Sequence, residues 1–211
     1  MIPRIFSGQN PDPVTNATVA PCFLDTRYGL ASLFVLVCGL GLPTCPAAAT
    51  GIRVETTSMR VVNEVYVVDA TLRCTLSEEA IQALESGVPI TFAIEITLKR
   101  KRDFLWDPVV TTLHQQYRLQ HHALSGQHLL VNLATGTSRS FVRLQNAVDA
   151  LEHLTAIPLI EADKLDPHEV YIGQMRASLD IEALPTPMRP LAYLSPEWWM
   201  SSHWHQWEVR P

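Results

Sequence analysis

From Gly51 onward, apolar and polar residues alternate with a period of two over most of the chain. That spacing lays one face of a β-strand on a core. Residues 52–62 (IRVETTSMRVV) predict a first strand and Asn63-Glu64 a short turn. In the next run Tyr66, Val68, Ala70, Leu72, Cys74 and Leu76 share one side, and Asp69, Thr71, Arg73 and Thr75 the other. This is the pattern of a half-buried antiparallel strand. Ile90, Phe92, Ile94, Ile96 and Leu98 repeat it, and 109–123 again, with Leu113, Tyr117 and Leu119 inward. HLLVNL, 128–133, predicts a strand with Leu129, Val131 and Leu133 inward. Ala134-Thr135-Gly136 predicts a hairpin tip and SRSF, 138–141, its return. Residues 168–182 predict one more strand, with Tyr171, Met175, Ala177, Leu179 and Ile181 on its apolar face.

Two stretches break the alternation. In SEEAIQALESG, 77–87, a capping serine and early carboxylates satisfy free amides, and Gly87 and Pro89 stop the helix. Its predicted apolar side is Ile81 and Leu84. A second helix is predicted over about 143–154, from Leu144, Ala147, Val148, Leu151 and Leu154 at helical spacing, with Pro158 barring continuation. LPTPMRP, 184–190, reads as an extended connector. The chain then closes on a tryptophan-rich segment read as a last strand. Many alternating strands and no βαβ rhythm predict a mainly β fold. The expectation is an antiparallel β-sandwich, immunoglobulin-like in general architecture, with two short helices. An open sheet with both helices on one face is the alternative.

The first 49 residues read differently. GLASLFVLVCGLGL, 29–42, is apolar and uncharged but shorter than the ~20 residues that span a bilayer. Arg27 precedes it, and small residues at Ala47 and Ala49 follow. This is the layout of a secretory signal peptide with an unusually long leading region, cleaved after Ala49. An uncleaved anchor is the alternative. Neither Cys38, after Val37, nor Cys45, after Thr44, suits a lipoprotein site. Cleavage removes Cys22, Cys38 and Cys45 and leaves Cys74, read as a buried small hydrophobe. An export compartment is thus inferred from the leader and not from cysteine pairing. Residues 50–211 are expected to form a single β-rich domain.

Charge and motifs narrow the chemistry. Net charge is -5 at pH 7, and the only basic run, Lys99-Arg100-Lys101-Arg102, lies at a strand end, where it suits a solvated rim. Nucleic-acid binding is therefore not expected. No G-x-S-x-G, P-loop or dinucleotide motif is present. Asp180/Glu182 and Glu161/Asp163 read as solvated pairs. No cofactor, catalytic residue or metal site is expected, although His203 and His205 would share one face of a strand.

Four of the five tryptophans crowd into PLAYLSPEWWMSSHWHQW, 190–207. As a strand, this stretch puts Trp198, Met200, Ser202 and Trp204 on one side and Trp199, Ser201, His203, His205 and Trp207 on the other. Trp198 and Trp204 are expected in the core. Trp199, His203, His205 and Trp207 are the expected ligand- or partner-binding residues, since exposed aromatic bulk marks contact surfaces.

The order of VYVVDATLRCTLSEEAIQALESGVPITFAIEI, WDPVV, QQYRLQHHALSGQHLLVNLATG and RPLAYLSPEW after a signal peptide resembles an uncharacterised proteobacterial envelope family, domain of unknown function forty-three ninety. Some of its members are labelled proline-rich signal peptide proteins. The resemblance covers 51–207. The long leader and the His203, His205 pair depart from it. It implies a secreted or periplasmic single domain without assigned activity. The family's genes often stand beside a membrane sensor histidine kinase, which implies an accessory role in the envelope. The expected function is a non-enzymatic binding module for an unknown membrane or envelope protein. Binding of a lipid, glycan or small molecule is the alternative, and an unrecognised enzyme the third.

Overall fold

The computed structural model describes residues 50–102 and 105–211. The expected signal peptide, with Cys22, Cys38 and Cys45, lies outside the described residues. The fold is mainly β. Strands β1 (Gly51–Val62), β2 (Val65–Thr75) and β7 (His153–Glu161) form one antiparallel sheet, in the order β1-β2-β7. The other sheet contains β3 (Ile90–Arg100), β4 (Val109–His122), β5 (Gln127–Asn132), β6 (Ser138–Phe141), β8 (Tyr171–Leu179) and β9 (His205–Val209). Its order is β6-β5-β4-β3-β8-β9. Both sheets contribute to one hydrophobic core, with Val68 and Leu72 from the first and Phe92, Ile94, Ile96, Leu98 and Met175 from the second. Three helices complete the described residues: α1 (Glu78–Glu85), α2 (Leu144–Glu152) and α3 (Arg189–Leu194). None is long and apolar enough to cross a membrane.

Local chemistry explains much of this. At α1 the Ser77 hydroxyl accepts from the Ala80 N–H at 3.2 Å. Gly87, at φ +88°, ends the helix, with its own N–H donating to Leu84 and that of Val88 to Ala83. This double bond pattern satisfies carbonyls that the helix end leaves open. Ala80 and Leu84 form the buried side, so Ala80 takes the place expected of Ile81. The Asn63-Glu64 turn joins β1 to β2 with both residues at positive φ, 48° and 62°. A side chain at Glu64 carries a left-handed penalty of ~1–2 kcal/mol that glycine avoids. Glu64→Gly is therefore expected to raise stability by about 0.5–1 kcal/mol after its greater unfolded-state freedom is counted. A urea midpoint unchanged or lowered would contradict this reading of the turn.

Four expectations are corrected. In β5 it is Leu130 that is buried, not Leu129 or Val131, because the register sets Leu130 opposite buried Leu119. The stretch after α2 is strand β7, which sequence periodicity did not predict. It tolerates Pro158 because it is a sheet edge, and Asp69 accepts from the Ala156 N–H at 2.8 Å where its backbone turns to φ +54°. Arg60, bonded to Asp69 at 2.6 Å, and that N–H hold the Asp69 carboxyl below its usual pKa. The 184–190 segment is not extended throughout, since Pro190 sits in the first turn of α3, where its missing N–H costs nothing. This makes three helices rather than two.

A tryptophan face and a cleft at the closing segment

The closing segment is not one strand. A short 3-10 turn, Pro196–Trp198, follows α3. Trp198 is 6% exposed and Trp199 58%. Ala192 and Trp198 anchor the inner side of this unit in the core. On the outer side Leu191 is 68% exposed and Leu194 80%. They stand three residues apart and so on one helix face. The Trp199 Nε1–H donates to the Ala192 carbonyl at 3.2 Å, which fixes the indole beside α3. Arg189 ties the helix back through Nε to the Leu184 carbonyl at 2.8 Å and faces Glu182 at 3.6 Å. The Tyr193 hydroxyl donates to Glu182 as well. Leu191, Leu194 and Trp199 are thus apolar groups held on a braced support.

Beyond Met200 the chain meets β8. Ser201 bridges to Ser178, while His205 pairs with Met175. Five residues, 201–205, therefore oppose four, 175–178. This is a β-bulge, and it moves side chains to the other face. The Ser202 hydroxyl accepts from the Ala177 N–H at 2.9 Å, standing in for a ladder carbonyl at a buried position. Ser202→Ala leaves that N–H without a partner and is expected to cost about 1–3 kcal/mol. A loss below a few tenths, read from denaturant unfolding, would show that the ladder closes without it.

The bulge redistributes the expected residues. Trp198 is in the core as expected. Trp204 is not, being 42% exposed at the bulge. Trp199 is exposed and His203 is exposed, but His205 and Trp207 follow the new phase and turn toward the core side with Val209. The Trp207 indole lies on Gly173, the residue opposite it in the ladder. The structure therefore does not bring Trp199, His203, His205 and Trp207 onto one face.

It does bring His203, Trp204 and His205 to a cleft of about 530 Å³ whose far wall is the start of β1, residues 51–55, with Arg73. Arg53 and Arg73 are directly opposite in the β1–β2 ladder. Glu55 accepts from Arg73 Nε at 3.2 Å, and this bond holds the Arg73 proton more firmly than usual. Cys74, next in β2, is buried, and burial beside Glu152 pushes its thiol up to about 12. It is a packing residue, not a nucleophile at neutral pH. Among the described residues no three His, Cys, Asp or Glu side chains gather as a metal site requires.

Sequence reasoning missed Leu191, Leu194, Arg53 and Arg73. The two leucines had a signal, the Leu-x-x-Leu spacing in RPLAYL, hidden by the flanking prolines. The arginines had none, because only topology brings residue 53 near residue 204.

The family model described as Domain of unknown function (DUF4390) matches residues 49–208. The chain belongs to the DUF4390 family. No curated protein and no solved structure matches it. The DUF4390 match takes in α3, the bulge and the start of β1, so both the tryptophan face and the cleft belong to the family's domain.

Proposed function

We propose that this DUF4390 protein is a secreted, periplasmic or envelope-associated binding module. It acts without catalysis and docks a membrane or envelope protein, with a sensor histidine kinase as the partner that the family setting suggests. The observation that carries this reading is the outer face of α3, where Leu191, Leu194 and Trp199 are exposed together while Ala192 and Trp198 beneath them are buried. Exposed apolar clusters on a rigid support are the centres of protein interfaces, and tryptophan is the residue most enriched there. Little ordering entropy is lost when such a surface binds. The two sheets are read as a sandwich, immunoglobulin-like in general architecture, and the shared core supports this.

The test is a photo-cross-linking amino acid placed at Leu194 in living cells. Leu124, 96% exposed in the β4–β5 turn, is the control. A discrete membrane-protein adduct from 194 and none from 124 is the expected result. Equal, diffuse labelling from both positions would remove the reading.

A further inference from the structure

We infer a second binding site, in which the cleft beside β1 takes an extended acidic peptide segment by strand addition. β1 is the edge of its sheet, and among the described residues its backbone bonds only to β2. The direction of its free groups follows from Cys74. The Cys74 N–H donates to the Glu152 carboxylate at 2.7 Å, on the side of β2 away from β1. Cys74 and its partner Ile52 are therefore a non-hydrogen-bonded pair of the antiparallel ladder. The N–H and C=O groups of Ile52, and of Val54 two residues on, then point out of the sheet edge. Both residues line the cleft. A register shift between Val54 and Thr56 ends this regular edge. It offers pairing for a segment of only a few residues.

Charge selects the segment. Like charges directly opposite in a ladder are destabilising, yet Arg53 faces Arg73. Glu55 answers Arg73 at 3.2 Å and Glu152 adds to its field, whereas Arg53 makes no ion pair among the described residues. Two arginines thus border the cleft with one carboxylate, in a chain whose net charge is -5. A ligand carboxylate beside Arg53 supplies the missing counter-charge. Trp204, opposite, offers a surface for an apolar side chain of the same segment. Main-chain pairing gives affinity and the alternate side chains specificity, as in other strand-addition sites. The site is separate from the α3 face and does not depend on it.

Fluorescence anisotropy with the purified protein tests the inference. The probe is a labelled hexapeptide of alternating glutamate and valine. Two comparison peptides carry lysine for glutamate, or the acidic sequence with alternate backbone nitrogens methylated. Saturable binding of the acidic peptide is expected, at least tenfold weaker for both comparisons. Arg53→Glu, checked for an unchanged melting temperature, is expected to weaken it at least tenfold, and Leu124→Ser, in the β4–β5 turn, to leave it unchanged. Equal binding of the methylated peptide would overturn strand addition. Equal binding to Arg53→Glu would overturn the site. No binding of any peptide at millimolar concentration would leave Arg53 as edge protection alone and overturn the inference, with the Leu194 cross-link unaffected.

Discussion

Trp198→Ala is expected to lower the free energy of unfolding by about 3–5 kcal/mol, while Trp199→Ala lowers it by no more than about 1 kcal/mol. The two residues are adjacent and chemically identical. Trp198 is 6% exposed and packs in the core beneath α3, so truncation opens a cavity as well as forfeiting apolar burial. Trp199 is 58% exposed, so its truncation forfeits little apolar burial and one hydrogen bond to the Ala192 carbonyl. Urea unfolding of both variants measures the contrast. Equal losses would mean that Trp199 supports the fold, and its exposure would no longer need a partner to explain it.

The second large effect lies at Gly173. A Cβ there would stand 2.3 Å from Cε2 and 2.4 Å from Cζ2 of Trp207. No real Cβ approaches so closely, so Gly173→Ala must push the indole off β8. Overpacking of this kind costs about 1–3 kcal/mol. Trp207→Ala removes the obstacle and loses the packing by itself. The double variant is therefore expected to cost less than the sum of the singles, with a coupling of about 1 kcal/mol or more. Additive losses would show that the indole does not rest on Gly173.

Much of the fold is legible along the chain, and the residues say why. β2, β3, β4 and β8 alternate over most of their length, so the face of each residue follows directly, although Ile181, expected on the apolar face of the last of them, lies in a 3-10 turn after it. α1 is bracketed by Ser77 and Gly87, each with one structural meaning. Legibility fails where two patterns overlap. HLLVNL has adjacent leucines, so its phase is set only by the pairing of Leu119 with Leu130. β7 begins inside a helical repeat whose last member, Leu154, serves the strand instead. The closing segment fails for another reason. Its bulge depends on a Ser202 side chain replacing a backbone acceptor, which leaves no trace in hydrophobic periodicity. That one inserted residue separates Trp204 from the core and turns His205 and Trp207 inward, and with it the expected four-residue site divides. Trp199 stays outside, on a face completed by two leucines hidden between prolines. His203 and His205 join a cleft whose other wall lies some 150 residues earlier in the chain.

We propose that the α3 face docks a protein partner. The most direct test is an in-cell cross-linking pull-down of tagged protein, comparing wild type with a Leu191→Ser, Leu194→Ser double variant of matched melting temperature. A single envelope membrane protein enriched with wild type and lost at least tenfold with the variant is the predicted result. The same proteins recovered equally with both would contradict the claim.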